Sequence, residues 1–312
     1  MLSSKKTKKV LITIIIAFLI FSIISFGVTK LIYDSTFPRY DCGVTEFPQA
    51  LKSTIDLRQV KTYESGENTL SGFLYESPIA ERKNTLIILA PGHNSCADSY
   101  LWQIKELLDY GWSVFAFDTT GSCHSEGVTA KGFSQEVLDL EATLEFLSSQ
   151  NNFGFENIAI LGHSRGGYAA CCALNFDFPI SAIISVSGIN SAMDAIIGAS
   201  AQHVGPLAYG NYGFLWGYQA MLFGAKTVNM QADKLLESSN TPALLIHGED
   251  DTTYPYDKYS IVSHIKDNPN TKILIRRSPD NAGHTNLLFS KDGTADDEVI
   301  YKINEFLLEN IK

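Results

Sequence analysis

The apolar run Ile158-Ala159-Ile160-Leu161 leads straight into Gly162-His163-Ser164-Arg165-Gly166-Gly167, and then into Tyr168 to Leu174. A short continuous apolar run bounded by glycines reads as a strand covered on both faces, and the residues beyond it read as a helix start. A strand becomes a helix within so few residues only through a tight, strained bend. Gly162 and Gly166 supply room there, where a Cβ would clash. Ser164 is thereby lifted above the sheet edge, beside the first amides of the following helix, which suit a developing negative charge. A glycine-rich turn with an incidental serine is the plain alternative, and the rest of the chain decides between them.

Taken in order, the chain alternates the two periodicities. Leu57 to Tyr63 and Thr69 to Tyr75 read as a hairpin around Glu64-Ser65-Gly66-Glu67-Asn68. Leu86 to Ala90, Ser113 to Phe117, Ile180 to Val186, Pro242 to Ile246 and Thr271 to Ile275 read as further strands. Helical spacing appears in Ser99–Tyr110, Phe133–Leu147, Tyr256–Ile265 and Glu298–Ile311. This predicts an α/β domain with a doubly wound, mostly parallel sheet. In such sheets reactive groups collect beyond the carboxyl ends of the strands. There the chain delivers His93 after Ala90, Ser164 after Leu161, His247-Gly248-Glu249-Asp250-Asp251 after Ile246, and Gly283-His284 after Ile275.

A serine, an acid and a histidine in that chain order point to one triad arrangement among several unrelated ones. Residues 57–311 resemble the α/β-hydrolases of the serine esterase, thioesterase and aminopeptidase-like type. The likeness rests on Pro91-Gly92-His93, Gly162-His163-Ser164-Arg165-Gly166, the loop Asp118 to Gly127, His247 to Asp251, and Gly283-His284. Pro91 stands where the family commonly has histidine and Cys123 where it commonly has glycine, which bears on loop packing. The resemblance implies Ser164 as nucleophile, His284 as general base and acid, and Asp251 as the group that orients the imidazole. Glu249 and Asp250 are neighbouring rivals for that last role, and the Gly-x-x-Asp register favours Asp251. It also implies an oxyanion hole from the backbone amides of His93 and Arg165.

Other residues point elsewhere or nowhere. His163 reads as packing beside its strand and Asp118 as a structural acid. His93, His124 and His247 share the same edge, but no metal-ligand spacing accompanies them. No Gly-x-Gly-x-x-Gly follows the first strand, so no dinucleotide is expected, and no cofactor at all. Cys171 and Cys172 read as small core residues. Cys96 and Cys123, on loops after adjacent strands, are expected within reach of a disulfide.

Val10 to Val28 contains nineteen residues without a charge, long enough to cross a bilayer as a helix. Four lysines precede it, which predicts a cytoplasmic N-terminus and places the rest outside. The length favours an uncleaved anchor over a signal peptide cut near Ser25-Phe26-Gly27, or over a buried core helix. Five of the 24 basic residues and none of the 34 acidic ones fall in the first 33 positions, leaving the remainder at −15. Such a domain repels nucleic acid. The expected organisation is an anchor over 1–33, a juxtamembrane linker over 34–56, and the hydrolase domain over 57–312.

More than fifty residues lie between Val186 and Pro242, where a minimal fold needs one helix, and a helical cap is expected at about 189–240. Within it, Val204 to Ala225 lacks charge and is rich in aromatics. A second membrane span is one reading; an apolar lid over Ser164 is the better one. The expected function is therefore a membrane-anchored serine hydrolase acting on a small-molecule ester or thioester. A peptidase of the aminopeptidase-like branch and a non-catalytic binding module are the alternatives.

Overall fold

The computed structural model describes residues 2–43, 46–79, 83–277 and 282–311. Its strands are β1 Arg58–Ser65, β2 Asn68–Tyr75, β3 Thr85–Ala90, β4 Ser113–Phe117, β5 Asn157–His163, β6 Ala182–Val186, β7 Ala243–Gly248 and β8 Thr271–Arg276. They form one sheet in the order β1-β2-β4-β3-β5-β6-β7-β8. The hairpin partner β2 runs antiparallel to β1 and β4, and all other neighbours are parallel. Every residue of β3, β4, β6 and β7 is buried, which is why these strands read as unbroken apolar runs rather than alternating ones. The chain order reverses on either side of β3, and a ligand crevice forms at the carboxyl ends of strands at such a switch point. His93 and Ser164 follow the adjacent strands β3 and β5.

The helices are α1 Leu2–Thr36, α2 Lys52–Asp56, α3 Leu101–Asp109, α4 Phe133–Ser149, α5 Arg165–Cys172, α6 Ala192–Val204, α7 Leu207–Gly210, α8 Tyr212–Phe223, α9 Ala225–Val228, α10 Ala232–Glu237, α11 Tyr256–Tyr259, α12 Ile261–His264 and α13 Asp297–Asn310. One core joins one sheet face to α4, α5 and the cap helices; a second joins the other face to α3 and α13. This is the doubly wound α/β arrangement. The helix expected over Tyr256–Ile265 breaks into α11 and α12 at Ser260. That residue is extended (φ −68°, ψ 150°), bridges Ile189, and caps α12 by accepting from the Ser263 amide at 3.0 Å.

The region from Ala192 to Glu237 folds as the helices α6 to α10. The uncharged stretch within it is no second span: α8 has twelve residues, about 18 Å of helix against a hydrocarbon core of about 30 Å. By contrast, α1 is long and apolar enough to cross a membrane. It also runs past the expected end of the anchor, and its last turns dock on the cap. Phe26 and Tyr33 both stack edge-on against Tyr218, at 5.7 and 5.5 Å between ring centroids. Asn211 donates to Thr29 Oγ1 at 2.8 Å, and Tyr33 Oη donates to the Lys131 carbonyl at 2.8 Å.

The segment after α1, expected as a linker, lies along the body instead. Pro38 and Tyr40 form bridges to Thr129 and Ser122, and the Arg39 guanidinium donates to the carbonyls of Cys123, Ser125 and Gly127. This strap changes the disulfide. Cys123 pairs with Cys42, with Cα atoms 5.2 Å apart, and not with Cys96, which is free and buried. The sequence pattern that placed Cys96 near Cys123 was sound in space, since the three sulfurs lie within 4.8 Å of one another. The Tyr40–Ser122 bridge, however, delivers Cys42 to the same place.

Candidate active site

The bend after β5 shows why its glycines are needed. A Cβ on Gly162 would lie 2.0 Å from the Gly166 carbonyl oxygen, and one on Gly166 would lie 2.2 Å from that of Ala90. Between them Ser164 adopts φ 56°, ψ −115°, a conformation that L-residues hold only when their surroundings enforce it. The result aims Ser164 Oγ at the histidine loop. His284 Nε2 lies 2.7 Å from Ser164 Oγ, and His284 Nδ1 lies 2.7 Å from Asp251 Oδ2. A carboxylate only accepts, so Nδ1 carries a proton and Nε2 is free to accept from the serine hydroxyl.

Asp251 is fixed from several sides. Its Oδ1 accepts from the amides of Thr253 and Tyr254, each at 2.9 Å, and His247 Nε2 stands 3.2 Å from Oδ2. Burial opposes ionisation of this carboxyl, but the contacts from His247 and His284 and the Tyr254 amide outweigh it and hold it well below the usual carboxylate range. A folded-state value below the unfolded one adds stability at high pH that is lost as the carboxylate is protonated. The gap in urea midpoint between the wild type and Asp251→Asn is therefore expected to be steady above about pH 4 and to shrink at lower pH. A gap that widens on acidification would contradict this assignment. The rivals Glu249 and Asp250 are exposed, and Glu249 instead faces Arg277.

His163 serves the same loop from below. Its Nε2 can only donate to the His284 carbonyl, at 3.2 Å, so its Nδ1 accepts from Tyr100 Oη at 2.9 Å. Burial first, and then the neighbouring His284, push it down to about 3, which keeps this ring neutral. Tyr100 Oη in turn accepts from the Gly92 amide at 2.9 Å, tying the His93 loop to the His284 loop. Neither Tyr100 nor this relay was legible in the sequence, because nothing in an aromatic residue of an amphipathic helix marks it as a bridge between loops.

Arg165 contributes the first amide of α5, an N–H with no intrahelical acceptor. Among the described residues no acceptor is found for it or for the His93 amide, the two groups expected to hold an oxyanion. The Arg165 side chain points the other way and forms an ion pair with Glu136 of α4, both enclosed. Asp118 is a structural acid: it accepts from the Ala97 amide at 2.8 Å and from the His124 amide and ring. The one close group of possible metal-ligating side chains among the described residues is Cys42, Cys96 and Cys123, two of which form the disulfide.

Above the site lies a cavity of about 510 Å³. Its floor includes His93, Phe133 and Tyr254, and the Tyr254 ring stands 5.5 Å from that of His284. Its walls come from α6 and α7 of the cap and from α1.

A family model described as "Serine aminopeptidase, S33" matches residues 81–196, from β3 through the bend into the cap. No curated protein matches the chain in sequence. Among solved structures, an esterase from Pyrococcus furiosus superposes with a TM-score of 0.65 at 20% identity, over 88% of this chain and 100% of that one. Est1E from Butyrivibrio proteoclasticus, solved with ferulic acid bound, gives 0.59 at 18% identity, over 80% and 99%. An acylaminoacyl peptidase from Pyrococcus horikoshii gives 0.55 at 18%, over 82% of this chain but 42% of that one. Likeness to these structures across most of the chain shows the α/β-hydrolase fold, and the family match covers its core from residue 81 to residue 196.

Proposed function

We propose that the protein is a membrane-anchored serine hydrolase that cleaves a carboxylic ester or thioester through an acyl-enzyme on Ser164. The observation that carries this reading is the unbroken chain Ser164 Oγ–His284–Asp251, with both links at 2.7 Å. Serine is a poor nucleophile at neutral pH and needs a base within hydrogen-bond reach. As Oγ attacks the carbonyl carbon, its proton passes to His284 Nε2, and the carbonyl oxygen becomes an oxyanion held by the amides of His93 and Arg165. Asp251 stabilises the imidazolium, which returns the proton to the leaving alkoxide or thiolate as the acyl–oxygen or acyl–sulfur bond breaks. Water then repeats the sequence: His284 takes its proton, its oxygen attacks the acyl carbon, and Ser164 leaves reprotonated.

The same geometry serves amide hydrolysis, and the matching family's description favours an aminopeptidase as the second reading. A peptide amino terminus carries a positive charge and needs a carboxylate partner. Among the described residues, none of those lining the cavity is acidic, which favours the ester. The anchor reading is supported by the contacts of Phe21 with Phe214 and of Phe26 with Tyr218, which a cut near Gly27 would remove. The test is a panel of p-nitrophenyl esters of graded chain length against aminoacyl p-nitroanilides, with full-length protein in detergent micelles. Esters are expected to exceed anilides in kcat/KM by at least a hundredfold. Faster anilide cleavage would move the protein to the peptidase branch, and no turnover of either with no fluorophosphonate labelling would leave a binding module.

A further inference from the structure

The geometry points to a substrate class for this hydrolase: a long-chain acyl ester resident in the bilayer, whose tail reaches Ser164 sideways along α1. The inference rests on the reading of Ser164 as nucleophile. The cavity wall on α1 is formed by Ile24, Val28, Ile32 and, one residue on from each, Ser25, Thr29 and Tyr33, ending at Thr36 and Phe37. Spacing of four keeps these on one face, and from residue 24 to residue 37 they cover about 20 Å of helix. A groove of that length suits an extended acyl chain, and 510 Å³ lies within the range of ligand pockets. At its inner end Phe37 meets His93 edge-on at 5.5 Å, so the groove finishes at the proposed oxyanion donor.

The outer end of the groove opens in the membrane. Ile24, Val28, Ile32, and across from them Val204 and Leu207, line the groove and yet are 48–81% exposed. A mouth rimmed by aliphatic side chains is unfavourable toward water and costs nothing toward hydrocarbon. Depth follows from the helix. If Val10 to Val28 fill the hydrocarbon, Phe21 lies about 10 Å inside its outer boundary. Phe214 of the cap packs on Phe21 at 6.2 Å, so the cap edge dips to the same depth. That edge suits the position: Val204 to Ala225 carries no charge, and Leu207, Tyr209, Tyr212 and Met221 are exposed.

The test uses full-length protein in phosphatidylcholine vesicles, with p-nitrophenyl palmitate dissolved in the bilayer and p-nitrophenyl acetate in the water. Val28→Trp or Leu207→Trp, placing an indole in the mouth, is expected to lower the palmitate-to-acetate rate ratio at least tenfold. Ile23→Trp, on the side of α1 away from the groove, should keep the wild-type ratio. A phosphatidylcholine with a diazirine in its acyl chain should, on irradiation, label α1 and α6 inside the groove, and Val28→Trp should abolish that label. An unchanged ratio, or labelling confined to the outward face of α1, overturns lateral access. Failure of the hydrolase reading is distinct: fluorophosphonate would leave Ser164 unlabelled, while the diazirine result would still report whether a lipid tail occupies the groove.

Discussion

Replacing Ser164 with alanine is expected to lower kcat on p-nitrophenyl acetate by about 10⁶-fold, roughly 8 kcal/mol of transition-state stabilisation, and to abolish fluorophosphonate labelling. The size follows from the arrangement. In the proposed mechanism Ser164 and His284 act as one proton-transfer unit through their single 2.7 Å contact, so either without the other would have no covalent route. His284→Ala should therefore cost about as much, and the double variant should cost little more than either alone. Asp251→Asn should cost about 10⁴-fold, because an amide that donates to Nδ1 would favour the wrong tautomer. What remains in Ser164→Ala would come from the two oxyanion amides and from substrate positioning, which are untouched. Steady-state kinetics on the four purified full-length variants, with far-UV circular dichroism as a check on folding, measure all of this. Strict additivity of the Ser164 and His284 losses, or a Ser164→Ala variant within a hundredfold of wild type, would mean that the chemistry lies elsewhere.

Which parts of this site a sequence can disclose follows from where the physics is local. Gly162 is demanded by a backbone contact four residues on, with Gly166, so the bend at Ser164 was readable directly, although the contact that demands Gly166 itself comes from Ala90 on the neighbouring strand. The strands that deliver His93 and Asp251 are buried on both faces, and their apolar runs were equally plain, with bounds within two residues. The strand β8, which leads to His284, is a largely exposed edge strand whose bounds were still read to within one residue. The disulfide partner of Cys123 was not readable. It depends on a strap whose path is set by bridges to residues some eighty positions away. The same applies to α1. Its apolar stretch announced a helix long enough to cross a membrane, but nothing in it announced that one face would wall the cavity, because Thr29 and Tyr33 gain meaning only against Asn211 and Tyr218 of the cap. The break at Ser260 was missed for a related reason: the apolar spacing continues across it, and a tertiary bridge to Ile189 overrides it.

The second large effect concerns stability, and it belongs to a pair that no motif marks. The Arg165 guanidinium and the Glu136 carboxylate are an ion pair with side-chain exposures of 1% and 0%, and Arg165 Nη2 also donates to Thr119 Oγ1 at 3.0 Å. Glu136→Leu would leave a guanidinium without a counter-charge in the interior, at an expected cost of about 3–5 kcal/mol. Against a total stability of about 5–15 kcal/mol, that is enough to unfold much of the protein near its working temperature. Removing both charges is a different matter, because the desolvation of two ions offsets most of their attraction. Glu136→Leu with Arg165→Met should recover most of the loss, so the two substitutions together should cost less than the sum of their separate costs. Urea unfolding of the full-length protein in detergent, followed by tryptophan fluorescence, gives the cycle. A Glu136→Leu cost below about 1 kcal/mol would show that the guanidinium finds another partner or reaches water. The double variant also separates stability from catalysis. Arg165 supplies the first amide of α5, so if the pair serves to seat that amide, kcat should stay about tenfold down even after stability returns, with KM little changed. Full recovery of kcat would confine the pair to holding α5 against α4.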